Sequence, residues 1–413
     1  MIEASFSGSN INQVKAHNMR AVLLSLLFQD LVYRVEMAKE TSLSTTTISN
    51  IIDELIEMGI VTEVGIEGVA GRRRVGRPRA ALQLQKNARY AVAVQVGVER
   101  YSVAIANLKA EILFNRVFTF SRATSPVKVF EEVCQQIDSL LLESGIERER
   151  VVGVGVGAAG LVNYLSGVNI LSANLGWENV PIRDMLNQRL GLPVIVDNNV
   201  KAMALGEAFF GSGRYASSLA FVYGSTGVGS GLVIDNRLLR GADLGAGEIG
   251  HMILVAKGGE KCRCGQCGCL ETLVSEAALI QQAEALVHNN PDSLLARLWR
   301  TGEGNQIDLI FQSARTGDLA AKEIVIRAAH YLGIALANLV NLLNPEMIIL
   351  GGLFAQGQDL FLPTTQKTLE ETAFAGLGKK VKLQATGFGW QAGIIGSAAL
   401  ALTHFFYLNP DEQ

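Results

Sequence analysis

Residues 248–271 read EIGHMILVAKGGEKCRCGQCGCLE. Four of the five cysteines fall in this stretch, at Cys262, Cys264, Cys267 and Cys269, with His251 just upstream. One imidazole and three closely spaced thiols make the ligand set of a closed tetrahedral zinc site. Four protein ligands leave no open position for a reactive water, so the expected metal is structural rather than hydrolytic. On bare spacing, Cys264 and Cys267 also form a C-x-x-C pair that could compete for the metal or act in redox. Glu248 and Glu271 bracket the run, where a metal-braced loop can present two carboxylates to a ligand; their plainer reading is a supporting role around the metal.

Outside this stretch, bulk properties bound the answer. A chain of 413 residues with 49% hydrophobic content predicts two or three domains, each with its own core. Net charge is −3, which excludes a chain-wide polycation. The balance is uneven, because Arg72, Arg73, Arg74, Arg77 and Arg79 crowd one short segment. A basic cluster on an otherwise acidic body predicts one small nucleic-acid surface. We find no signal-peptide pattern and no uncharged apolar run of about 18 residues, so the expectation is a cytoplasmic protein without a membrane span, nucleoid-associated when bound to DNA. Thiols this crowded do not make a disulfide framework. Cys134 lies on an amphipathic helical stretch and is expected in the core.

Taken in order, the chain opens with a helix over 10–28. A short helix over 33–41, a Ser42-Leu43 turn and a second helix over 44–58 follow, with Ser44 as N-cap and Gly59 as terminator. Ile48, Ile51, Ile52, Leu55 and Ile56 follow the spacing of a buried face. Thr45, Thr46, Thr47, Ser49 and Asn50 cluster in the first turns, where small polar side chains suit entry into a major groove. Strands at 60–64 and 80–84 flank the loop GIEGVAGRRRVGRPR. Its five arginines can neutralise phosphates, so helix pair, polar first turn and arginine wing together predict a winged helix-turn-helix. The plainer alternative is a helical dimerisation hairpin with a solvated basic loop.

From Tyr90 the texture becomes α/β. Strands are predicted at 90–98, 101–107, 110–119, 151–156 and 194–196, with helices at 126–144 and near 181–190. The polar step Asp197-Asn198-Asn199 follows. A second block then begins, with a strand at 219–223, a glycine turn over Gly224–Gly231, and strands at 232–234 and 347–350. Its helices are placed at 275–287, 308–314, 320–344 and 393–405. Two successive β-β-β-α-β-α units imply a two-lobed body with a cleft between the lobes.

The motifs Gly247–His251 and Cys262–Glu271, with the glycine turns and the Asp-Asn-Asn step, resemble the ROK family (repressors, open reading frames and sugar kinases). The likeness is nearest to its winged-helix repressors of sugar utilisation, for xylose, N-acetylglucosamine and glucose. It covers about residues 10–405. It implies a winged helix-turn-helix over 1–88 and an actin/hexokinase-like (ribonuclease H-like) duplicated α/β fold. Its first lobe would span 89–200, completed by a helix at about 393–413, and its second lobe 201–392. Carried over by position, the zinc ligands fall on His251, Cys262, Cys264 and Cys269, with Cys267 in a variable place. Sugar contacts fall on Asn198, Asn199, Glu248, His251 and Glu271, with Asn174 as a further contact. The resemblance also implies a homodimer or tetramer. Trp177, beside Asn174, reads equally well as core.

Two departures set this chain apart from the family's kinases. Where they carry Asp-Asn-Asp, with the last aspartate as base, this chain has Asp197-Asn198-Asn199. An amide cannot act as a general base, a contribution worth about 10²–10⁴ in rate. Where they carry Asp-x-Gly-Gly-Thr after the first strand, this chain has Gln95-Val96-Gly97-Val98-Glu99-Arg100. The expectation is therefore a non-enzyme with no catalytic residue and no ATP requirement. It would be a sugar-responsive transcriptional repressor that binds operator DNA and a small sugar effector. The enzyme-class alternative is a ROK-type sugar kinase with an appended DNA-binding domain. Two further rivals are a repressor governed by a protein regulator and a redox or zinc sensor.

Overall fold

The computed structural model describes residues 11–65, 80–302 and 304–408. Arg72, Arg73, Arg74, Arg77 and Arg79 lie outside the described residues.

The N-terminal unit contains helices α1 (Ile11–Phe28), α2 (Arg34–Glu40) and α3 (Thr45–Glu57), then strands β1 (Val61–Gly65) and β2 (Ala80–Leu84). β1 and β2 pair antiparallel, Val61 opposite Leu84. Ser44 caps α3, its hydroxyl accepting from the Thr47 N–H at 3.0 Å. Ile48, Ile51, Ile52 and Leu55 are buried. Ile56, expected on the same face, is 36% exposed; it lies in the last turn, where the buried stripe has rotated away. Arg34 ties the unit together by reaching Asp53 on α3 and Glu63 on β1.

Two five-stranded sheets follow, and they share one topology. The first contains β3 (Tyr90–Gly97), β4 (Arg100–Asn107), β5 (Ile112–Thr119), β6 (Val151–Ala158) and, after the small sheet β7 (Leu161–Asn163), β8 (Val168–Ser172) and β9 (Trp177–Val180), strand β10 (Val194–Asn198). Helices α4 (Pro126–Ser144) and α5 (Ile182–Leu190) connect these strands. Helix α6 (Asn199–Phe210) leads to the second sheet, which contains β11 (Ser218–Gly224), β12 (Val228–Ile234), β13 (Arg237–Leu238), β14 (Met347–Gly352) and β15 (Lys382–Ala385). Read from the antiparallel edge, the orders are β5-β4-β3-β6-β10 and β13-β12-β11-β14-β15. In both sheets the first three strands pair antiparallel and the last two join in parallel. The body is therefore a duplicated α/β fold of two lobes.

The second lobe adds α7 (Glu271–Val274), α8 (Glu276–Asn289), α9 (Leu294–Thr301), α10 (Gln306–Arg315), α11 (Leu319–Leu343), α12 (Leu353–Gln356) and α13 (Gln358–Thr372). Helix α11 is long and apolar enough to cross a membrane by composition. Its Ala328, Ala329, Leu332 and Leu336 are buried in the second lobe, so the apolar content serves that core. The last helix, α14 (Ala392–Leu402), continues into a π turn over Thr403–Tyr407. Cys134 is 2% exposed, and burial pushes its thiol up to about 11. Trp177 is also core, its ring 5.6 Å from that of Phe130.

Helix α6, which joins the lobes, was not predictable from periodicity. Val200 to Phe209 are all buried, so α6 carries no amphipathic period to betray it. It packs on the second sheet, while α14 packs on the first. The two helices cross where a Cβ on Gly396 would meet Ala202 backbone at 2.6 Å, so only glycine permits the approach. The glycine turn expected over Gly224–Gly231 is shorter than predicted, since residues from Val228 onward belong to β12. Gly231 is there for packing, because a Cβ would lie 2.5 Å from the Ala204 methyl. Helix α13 was missed because Pro363 sits inside it.

Candidate ligand cleft and metal loop

A cleft of about 940 Å³ separates the lobes, and Asn174, Asn198, Asn199, Glu248, His251 and Glu271 all line it. Asn174 comes from the β8–β9 turn and Asn198 ends β10, while Asn199 opens α6. Glu248 precedes and His251 ends a single 3₁₀ turn, and Glu271 begins α7. Two lobes and five segments thus converge on one space.

The partners of these side chains differ. Asn198 is committed to the backbone. Its carbonyl oxygen caps α6, accepting from the N–H groups of Val200 and Lys201, and its amide donates to Gly160 O at 2.8 Å. Glu271 Oε2 accepts from the Val228 N–H at 3.0 Å. Among the described residues, Asn199 Oδ1 accepts only from its neighbour Val200 N–H, at 3.0 Å. Asn174 Oδ1 accepts from Arg263 Nη1 at 2.6 Å, and Arg263 Nη2 donates to Thr226 O at 3.1 Å. Arg263 Nη2 also lies 3.5 Å from Glu271 Oε1.

Beneath the cleft, Asp197 does not face the ligand space. Its Oδ2 accepts from Arg240 Nε at 3.2 Å and Nη2 at 3.0 Å, and these side chains are 2% and 9% exposed. The Arg240 guanidinium stacks 3.9 Å over the Tyr164 ring. Lys201, buried beside this pair, donates to Leu244 O. Burial lowers its pKa, against the opposing pull of Asp197 and Glu248. None of Arg240, Tyr164, Lys201 or Arg263 was singled out from sequence. Arg263 had the plainest signal, lying between two cysteines of the motif.

The metal loop is compact. The potential ligand atoms of His251, Cys262, Cys264 and Cys269 all lie within 4.8 Å of one another. Cys262 Sγ is 3.8 Å from His251 Nδ1, and Cys264 Sγ is 3.6 Å from Cys269 Sγ. A tetrahedron with zinc–sulfur bonds of about 2.3 Å has sulfur–sulfur edges of about 3.8 Å, so the donor set fits such an ion. Burial pushes the Cys269 thiol up to about 12 and raises that of Cys262. The Gln266 N–H lowers that of Cys264. Cys267 is exposed and lies outside this donor group.

On the N-terminal unit, Thr45, Thr46 and Asn50 are exposed at the start of α3, while Thr47 and Ser49 are half-buried. The Thr47 hydroxyl lies 2.8 Å from that of Ser44, within the cap.

The ROK family profile matches residues 91–404. The chain belongs to the ROK family. Among its ROK relatives, the xylose repressor of Caldicellulosiruptor bescii is 30% identical over 394 residues, covering 95% of this chain and 97% of that protein. A glucokinase of Halalkalibacterium halodurans is 31% identical over 312 residues, covering 76% of this chain and 94% of that enzyme. The solved structure of a ROK transcriptional regulator, a homologue of the E. coli Mlc protein, superposes with a TM-score of 0.79. It is 26% identical and covers 93% of this chain and 97% of its own.

Proposed function

We propose that this ROK protein is a sugar-responsive transcriptional repressor of carbohydrate-utilisation genes. The observation that carries the reading is coverage. The repressor relative matches 95% of the chain, whereas the glucokinase matches 76%, at nearly equal identity. A repressor therefore accounts for almost the whole polypeptide, where a kinase accounts for a length near that of the ROK match alone.

In this reading the N-terminal unit is a winged helix-turn-helix. Thr45, Thr46, Thr47, Ser49 and Asn50 enter the major groove, and Arg72, Arg73, Arg74, Arg77 and Arg79 of the wing hold phosphates. The effector is a sugar held by Asn174, Asn199, Glu248, His251 and Glu271, whose amides and carboxylates suit vicinal hydroxyls. Asn198 contributes by capping α6, with its second amide hydrogen left for the ligand. His251, Cys262, Cys264 and Cys269 hold a structural zinc, which braces the loop carrying Arg263 and the start of α7. Asn199 stands where a kinase needs a base, so no phosphoryl transfer is required of the site. Sugar binding shifts the relation of the lobes, and in a homodimer or tetramer that change alters the spacing of the two DNA-reading units.

The test pairs two assays on the purified full-length protein. Operator binding, measured by fluorescence anisotropy with DNA from upstream of its own gene, should respond to one sugar in a pentose and hexose panel. A coupled ADP-release assay with the same sugars should stay at background. Turnover within a few hundredfold of a ROK glucokinase would replace the repressor reading with the kinase one.

A further inference from the structure

The cleft is longer than a monosaccharide site. The residues assigned above to the sugar cluster by β10, the start of α6 and the metal loop. The lining continues across the first sheet to Arg100 and Ser102 on β4 and Asn115 and Val117 on β5. From β10 to β5 is four inter-strand steps. At about 4.8 Å each, that is roughly 19 Å. One pyranose ring cannot span it. The volume, about 940 Å³, is near the top of the range of about 300–1,000 Å³ that encloses ligands several times the size of a monosaccharide.

The chemistry of this outer half is specific. Ser102 and Val117 are cross-strand partners, and Arg100 and Asn115 lie two residues from them on the same face. The Asn115 carbonyl oxygen is buried without a hydrogen-bond partner. Trp390, just ahead of α14, lines the cleft and is 76% exposed. Val117 is 55% exposed. Across from them stands Glu276, which feels the charge of Arg100. A flat aromatic face flanked by an amide, a hydroxyl and a carboxylate is what a sugar ring requires. Its C–H face stacks on the indole while its equatorial hydroxyls meet the polar groups.

The cleft as a whole is poorly suited to phosphate. The cleft is lined by Asp243, Glu248, Glu271 and Glu276, against Arg100 and Arg263. The N–H groups of Ser225, Val228 and Ser230 around the glycine turn are already bonded, to Gly227 O, Glu271 Oε2 and Gly247 O. A neutral polyol meets no such penalty.

We propose that the effector is a neutral oligosaccharide of two or three units. This rests on the reading of the cleft as a sugar site. One unit sits among Asn174, Asn199, Glu248 and Glu271. The next extends over Trp390, between Asn115 and Glu276.

The test is isothermal titration of the zinc-loaded full chain with three series: xylose, xylobiose and xylotriose; glucose, cellobiose and cellotriose; glucose, maltose and maltotriose. In one series the disaccharide should bind at least tenfold tighter than its monosaccharide, with a shift in tryptophan emission. Trp390→Ala, at an exposed position, should reduce that gain to threefold or less and leave the monosaccharide constant within twofold. Asn115→Ala should act in the same direction. A monosaccharide that binds with no longer homologue binding tighter would overturn the subsite while leaving the sugar-sensing reading intact. A chain that binds no sugar of any length would remove both. Tight binding of magnesium–ATP that competes with the disaccharide gain, or coexists without one, would show a retained nucleotide site and overturn the proposal.

Discussion

Arg263 Nη1 lies 2.6 Å from Asn174 Oδ1, so the metal loop of the second lobe is hydrogen-bonded to the β8–β9 turn of the first. The same guanidinium holds Thr226 O and approaches Glu271 on its own lobe. One side chain therefore spans the mouth of the cleft. Its side chain is 55% exposed, and exposed charged contacts contribute about 0–1 kcal/mol. The link is weak enough for a ligand to displace. Arg263→Ala should leave zinc content and thermal midpoint unchanged and open the ligand-free cleft. Small-angle scattering would read this as a larger radius of gyration without sugar. An unchanged scattering profile would make the contact incidental.

The second inter-lobe arginine behaves oppositely. Arg240 is buried against Asp197 and stacked on Tyr164. Removing one partner of a buried pair strands the other charge, at a cost of about 3–5 kcal/mol. Arg240→Ala should lower the unfolding free energy by about that amount in urea titrations. Asp197→Asn, which leaves a hydrogen-bond acceptor in place, should cost less. A loss below about 1 kcal/mol for Arg240→Ala would mean water reaches the pair.

Cys267 should be dispensable for metal. It lies outside the group formed by His251, Cys262, Cys264 and Cys269. Cys267→Ser should retain one zinc per chain by elemental analysis, while Cys264→Ser or Cys269→Ser loses it together with the sugar response. Zinc loss from Cys267→Ser would reassign the ligand set.

If the repressor reading holds, a carboxylate at Asn199 should not by itself produce kinase activity. In the proposed reading, Asn199→Asp places a carboxylate at the start of α6, while Gln95–Arg100 still lacks the aspartate and threonine expected of a kinase phosphate loop. ADP release should stay at background with every sugar that binds. Measurable turnover from that single change would show that the base was the only missing group.

Glu207 supplies the pH dependence. It is fully buried, and its carboxylate accepts from the Thr386 hydroxyl and, at 2.9 Å, from the Ser212 N–H. Burial raises its pKa more than these hydrogen bonds lower it. The folded state thus binds the proton more tightly than the unfolded state. The stability this provides is complete below the unfolded value of about 4.3 and is lost as pH rises through the folded one. Glu207→Gln carries no such titration. Its thermal midpoint relative to the parent should therefore rise as pH increases above the unfolded carboxyl value, until the folded carboxyl has ionised. A gap that is flat or narrows with pH would contradict the shift.

Much of the fold was legible because its elements announce themselves. Ser44 caps a helix with an amphipathic face, and β3 and β6 carry β-branched runs. What stayed hidden was hidden for physical reasons. Helix α6 is buried from Val200 to Phe209 and so lacks a polar side. Pro363 disguises α13. The six residues carried over as sugar contacts do line one cleft, but motif spacing could not reveal that Asn198 also caps α6 and donates to Gly160 O. Nor could it reveal the two arginines that cross between lobes, since their partners lie 43 and 89 positions away.

Helix α6 has a consequence for the route of the signal. Its first residue, Asn199, lines the cleft, and Phe209 near its far end stacks on Phe28 of the N-terminal unit at 6.3 Å. Tyr215 donates to Phe28 O beside it. Twelve helical residues make a rod of about 18 Å. A rigid rod with its fulcrum at the Gly206–Gly396 crossing is a lever. In the proposed repressor, a small tilt at the cleft would be passed along α6 to the N-terminal unit inside a single subunit. Variants deaf to sugar, with normal ligand affinity, should then arise from Phe28→Ala or Phe209→Ala. If both still release DNA normally, the motion must travel through contacts between subunits instead.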